Sequence, residues 1–184
     1  MNLIRLFAVS VPSVRSLCLC VSLVFSLLAL PDPAAAQGKD YLTTIEADKI
    51  RDAELPDLRI KLFIEFAQDR LTKFKYELGR SKPDRQRTVR LLALLDAYMG
   101  CIDDAAELVE IGRMRQHDIR KSIDDLEKKS TEFIAELETL HRAAPDNALY
   151  KETLGDAILS TKEAHAEALR AKDEIAPPPV RRKP

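Results

Sequence analysis

The stretch LLALLDAYMGCIDDAAELVEIG, residues 91–112, places Cys101 among carboxylates. A thiol becomes a nucleophile or a redox group when a neighbouring base or cation lowers its pKa. The residues that a helix would set beside it, at 97, 98, 104, 105 and 108, are Ala, Tyr, Asp, Ala and Leu. None supplies that cation, so Cys101 reads as a small buried hydrophobe.

The histidines are His117, His141 and His165, which recur every 24 residues. In a continuous helix that spacing spans about 36 Å, too far for His117 and His141 to share a metal. His141 lies next to the break at Pro145, whereas His165 lies well beyond it. Glu138-x-x-His141 is half of the pattern that builds a di-iron site in a bundle, which needs the motif twice and two further glutamates. The sequence has no second copy. It also lacks a CxxCH haem site, a glycine-rich phosphate loop and a G-x-S-x-G elbow. These readings point away from an enzyme and imply no cofactor and no metal site.

The remaining chemistry is charge. Asp96, Asp103 and Glu110 are seven apart and form a row that His117 and Asp124 extend, with Asp104 on the neighbouring row. Such a row ordinarily faces water. An all-protein calcium site would need a loop with six or more oxygen ligands, and none is present. Just downstream lies a basic cluster, Arg113, Arg115, Arg120 and Lys121. Opposite charges close together on one helix suit a protein partner, or head-to-tail or antiparallel self-association. These eight residues are the candidate interaction surface.

Helices must position them. No segment after the first 36 residues alternates apolar and polar positions long enough for a strand, so the expected class is all-α. A first helix starts at a capping box, Thr43 with Glu46, and stops before Pro56. A second begins at Pro56, buries a broad face around Ile60, Ile64, Leu71 and Phe74, and closes at Gly79. From Leu91 to Ala144 apolar positions keep a strict four-three spacing, through Tyr98, Ile102, Val109, Gly112, Gln116, Ile119, Leu126, Phe133 and Leu137. That unbroken phase favours one long central helix over about 82–143, on the order of 90 Å. The expected architecture is thus an elongated antiparallel helical hairpin, with a shorter helix folded back on each half of this spine. The alternative is a compact four-helix bundle with a turn near Gly112. A last helix follows Pro145, and its alanine-rich seam permits close approach to residues 119–144.

The ends say where the chain goes. Arg5 and Arg15 precede a 14-residue apolar run, Leu17–Leu30, which is short of the roughly 20 residues of a transmembrane helix. Ala34-Ala35-Ala36 then offers a signal peptidase its small side chains, so residues 1–36 read as an export signal cleaved between Ala36 and Gln37. Residues 37–55 form an N-terminal helical segment, 56–175 the bundle domain and 176–184 a Pro-rich basic tail. Cleavage removes Cys18 and Cys20 and leaves one cysteine, so stability must come from packing. It also leaves 27 basic against 29 acidic side chains, because Arg5, Arg15 and Asp32 depart. That balance gives no electrostatic reason to expect nucleic acid.

The expected protein is therefore periplasmic or secreted and meets the membrane only during export, apart from weak contact that its tail could make. It works by protein–protein contact, as an envelope adaptor, scaffold or holdase does. The resemblance to such proteins is one of architecture alone. A small-ligand or lipid binder, using the apolar 58–109 region as its pocket, is the alternative.

Overall fold

The computed structural model of the chain describes residues 41–82 and 84–175. The expected export signal with its expected cleavage between Ala36 and Gln37, Pro83 and the expected tail at 176–184 lie outside them. Five helices form among the described residues: α1 (Thr44–Asp52), α2 (Pro56–Gly79), α3 (Arg87–Met114), α4 (Arg120–Ala143) and α5 (Tyr150–Glu174). The class is all-α.

Local chemistry explains the starts. At α1 the expected capping box is present: the Glu46 N–H donates to Thr43 Oγ1 at 3.3 Å, and the Thr43 N–H donates to Glu46 Oε2 at 2.8 Å. Pro56 opens α2, where its fixed φ suits the first turn and its missing N–H costs nothing. α3 starts at Arg87, later than the 82 expected. Asp84 Oδ1 accepts from the Gln86 N–H at 2.9 Å and holds a turn there instead of a helix.

The four long helices form a bundle in which α2 packs on α3, α3 on α5, α5 on α4, and α4 on α2. Named contacts set the directions. Ser122 Oγ meets Asp57 Oδ1 at 2.5 Å at the start of α4 and α2, and Lys75 meets Glu136 near their other ends, so those two helices are parallel. Tyr98 meets Thr161, and Arg113 meets Glu174, so α3 and α5 are parallel too. The two sequential hairpins, α2–α3 and α4–α5, are those that the short connections predicted.

The compact alternative with a turn near Gly112 is the arrangement found, and the continuous helix over 82–143 does not form. α3 ends in a Schellman closure: the His117 N–H donates to the Gly112 carbonyl at 2.9 Å and the Gln116 N–H to the Arg113 carbonyl at 3.1 Å. Gln116 takes the left-handed conformation that this requires, with φ 52°. Gly112 makes room for the fold-back, since a Cβ there would lie 2.4 Å from Ile119 Cδ1. The new helix is capped from outside: Asp57 on α2 accepts the Ser122 N–H at 3.2 Å and the Ser122 hydroxyl as well.

The four-three seam survives the turn because both halves face one core. Leu91, Leu95, Tyr98, Ile102, Ala105 and Val109 are buried on α3, and Ile123, Leu126, Phe133 and Leu137 on α4. Only Gln116, at the turn, leaves it for solvent. Tyr98 and Phe133 meet edge to face with ring centres 5.8 Å apart. On α5 the small residues Ala157, Thr161, Ala164, Ala168 and Ala171 let the backbones approach closely. Each large apolar side chain fully buried here contributes about 1.5–3 kcal/mol.

α1 lies as a strap on α2, and Tyr41, just ahead of it, reaches α3. The Tyr41 ring sits where Gly100 has no side chain; a Cβ at Gly100 would be 2.8 Å from it. Arg70, 5% exposed, donates to Glu46 Oε2 at 2.6 Å and to Asp69 Oδ2 at 2.6 Å.

Candidate functional site

Parallel packing of α3 and α5 brings two rows of charge to the edges of one groove. Asp103, Ala106, Glu107 and Glu110 line it from α3, and Ser160, Glu163, Ala164, Glu167 and Arg170 from α5. Its volume is about 430 Å³. The groove exists because Ala106 and Ala164 are short, while the residues flanking them are long and charged.

Part of this charge is spent within the molecule. Ser160 Oγ donates to Asp103 Oδ1 at 2.7 Å across the groove. Arg113 reaches from the end of α3 to α5, with Nη1 2.5 Å from Glu174 Oε2 and Nε 3.4 Å from Glu167 Oε1. The second of these is an ion pair without hydrogen-bond geometry. Glu167, 9% exposed, is balanced further by Arg170 Nη1 at 3.1 Å. The Glu174 hydrogen bond raises the Arg113 pKa against its desolvation, and the charges of Glu174, Glu167 and Glu110 add to the rise. Glu107 and Glu163 make no ion pair among the described residues, and Glu110 lies only within 3.9 Å of Arg113. Five carboxylates thus line the groove against Arg170, with Arg113 at one end.

The sequence-derived surface divides. Asp96, Asp103 and Glu110 are exposed, as a solvated row requires. Asp104 is not part of that flank: it is 8% exposed. The reason is helical phase, since three and seven residues before it stand Cys101 and Ala97, both buried on the same stripe. The basic cluster is also divided. Arg113 turns into the bundle, Arg115 and Lys121 are exposed around the turn, and Arg120 Nη2 lies 2.8 Å from Asp118 Oδ1. Sequence reasoning missed Glu107 and the α5 wall. The signal was the spacing of Ser160, Glu163, Glu167 and Arg170 beside the alanine seam.

The residues weighed for catalysis lie elsewhere. Cys101 is buried, and Arg70 on α2 is a cation near it that no reading of the Cys101 helix alone could find. Burial pulls the Arg70 pKa down; the hydrogen bond and charge of Glu46, with Asp69 and Cys101, more than restore it. His165 Nδ1 stands 2.9 Å from Ser130 Oγ, but that hydroxyl is fully buried and also donates to the Glu127 carbonyl at 3.0 Å. A serine so enclosed presents no nucleophile to a substrate. His117 lies in the turn, and Glu138 accepts from Lys162 at 2.8 Å rather than turning towards His141. Among the described residues no three or more His, Cys, Asp or Glu side chains gather as a metal site would require. No described helix is long and apolar enough to cross a membrane. In comparisons with known protein families, curated proteins and solved structures, nothing matches this chain.

Proposed function

We propose that the protein is an exported, non-catalytic contact protein, of adaptor, scaffold or holdase type, whose working surface is the acidic groove between α3 and α5. The observation that carries this reading is the pair Glu107 and Glu163. They stand on opposite walls of one groove and are held by no ion pair among the described residues. A basic segment of a partner protein, laid along the alanine floor, would meet both walls at once. Carboxylates arranged this way steer an oppositely charged partner and fix its register more than they add raw affinity. Most of the large apolar side chains of 58–109 that a ligand pocket would need are packed against one another in the core, with Leu58, Tyr76 and Val89 exposed. That leaves the surface as the better-supported place of action.

The test is native mass spectrometry on the protein isolated from its own cell envelope, beside the variant Glu107→Lys with Glu163→Lys. A complex carried by the native chain and lost in the variant is the expected result. Equal complexes, or a bare chain in both samples, would overturn the proposal.

A further inference from the structure

The turns that join α2 to α3 and α4 to α5 lie at one end of the bundle, where the Phe74 and Tyr150 rings meet edge to face with centres 5.9 Å apart. Residues 77–90 and 142–152, which build this end, carry seven basic against four acidic side chains, in a chain whose net charge is −1. Most of the acidic ones are engaged. Arg90 Nη2 lies 2.5 Å from Glu77 Oε1 and 2.9 Å from Asp84 Oδ2, and these hydrogen bonds hold both carboxyls below their ordinary pKa. Asp146 Oδ1 lies 2.6 Å from Lys151 Nζ. Lys82, Arg85 and Arg142 are exposed and make no ion pair among the described residues.

Two further features stand at the same end. A cavity of about 510 Å³ opens at the α2–α3 turn, where Tyr76, Gly79, Arg80, Ser81 and Lys82 line it with no carboxylate among the described residues. Leu149 and Tyr76, 75% and 74% exposed, are the two most exposed large apolar side chains among those described. They flank the Phe74–Tyr150 contact, one residue before Tyr150 and two after Phe74. We propose that this end of the bundle docks on an anionic lipid surface, with headgroup phosphates meeting Lys82, Arg85 and Arg142, and with Tyr76 and Leu149 entering the boundary between headgroups and acyl chains. Docking there leaves the α3–α5 groove, further along both helices, open to a partner, so the two surfaces act independently.

The chemistry selects a lipid surface over a small soluble anion. The cavity walls are exposed and Arg80 is already shared with Glu77 at 3.2 Å, so a lone phosphate would gain only the little that exposed ion pairs give. A membrane presents many phosphates at once, and each Lys or Arg brought to an anionic surface strengthens binding about fivefold. Three such residues together give on the order of a hundredfold. Leu149 has no use for a phosphate, whereas interfacial binding adds the burial of apolar side chains to the attraction between charges. Tyrosine suits the boundary because its ring is apolar while its hydroxyl stays wet. Salt weakens the charge contribution and leaves the apolar one.

Vesicle flotation of the protein isolated from its own cell envelope tests this, with equal parts phosphatidylglycerol and phosphatidylcholine against phosphatidylcholine alone. The native chain should float with the anionic vesicles at low salt, and Lys82→Glu/Arg85→Glu should weaken its affinity about twentyfold or more. Because the chain has no tryptophan, Tyr76→Trp supplies a single indole, whose emission should shift to the blue on the anionic vesicles. Leu159→Trp, at an exposed position of α5 away from this end, should show no shift. No flotation with the anionic vesicles, equal affinity of the charge variant, or equal shifts at both positions would overturn the proposal. So would a Tyr76→Trp shift produced by poly-glutamate or inorganic phosphate in place of vesicles, since that assigns the end to an acidic protein or a soluble anion.

Discussion

The Tyr98 hydroxyl and the Thr161 hydroxyl meet 2.8 Å apart where neither residue has any exposed surface. Thr161 spends its own proton on the Ala157 carbonyl at 2.6 Å, so Tyr98 is the donor. The pair fixes α3 against α5 and so sets the register of the groove walls, five residues further along α3 at Asp103. Thr161→Val leaves the phenol with no acceptor and should cost about 1–3 kcal/mol in denaturant unfolding. Adding Tyr98→Phe should recover most of that loss, because both buried partners are then apolar. Additive losses would contradict the pairing.

The turn at Gly112 allows a second double substitution. Gly112→Ala gains helix propensity, about 1 kcal/mol, but drives a methyl into Ile119 Cδ1 in a full core. The single variant should be less stable than the native chain. In an Ile119→Val background, which removes that Cδ1, the same change should stabilise. The sign reversal is read from urea midpoints.

Acid should loosen the α1 strap. Burial alone would raise the Glu46 pKa. The Arg70 hydrogen bond, the two Thr43 bonds and the Arg70 charge outweigh it and hold the carboxyl below its ordinary 4.5. With a lowered folded pKa, the unfolded chain takes up protons first. The Glu46 contribution is therefore complete above about pH 4.5 and is lost as pH falls through the folded value. Glu46→Gln should cost about 1–2 kcal/mol at neutral pH, with the gap to the native chain closing below pH 4.5. Thermal unfolding as a function of pH reads this directly, and a gap of constant size would refute it.

Substitutions on the groove walls should leave the fold alone. Glu107→Ala and Glu163→Ala remove side chains with no ion pair among the described residues, so each should change unfolding free energy by less than about 0.5 kcal/mol. Circular dichroism melts check this, and any loss of partner capture in these variants then reports contact rather than stability.

Most of the scaffold was legible because apolar spacing and caps are local. The Thr43 capping box, Pro56 at a helix start, Gly79 at a helix end and the seam of α5 all followed from residues a few positions apart. The turn after Met114 was ambiguous for a physical reason. Its left-handed position is filled by Gln116, not glycine, and the cap of the next helix comes from Asp57, 65 residues away. A four-three phase that runs unbroken through the turn also describes two helices that share one core. The site was legible by halves. The α3 row at Asp103 and Glu110 could be read on one helix, whereas the wall opposite and the burial of Asp104 depend on how helices pack.

Contact through the α3–α5 groove is tested most directly by a photo-crosslinker placed at Glu107 in the protein's own cells, with one at the exposed Val89 of the same helix as control. The expected result is a crosslink from position 107 to a basic segment of a protein, absent from position 89 and abolished by Glu163→Lys. Crosslinks of equal yield from both positions, or none from 107, would contradict it.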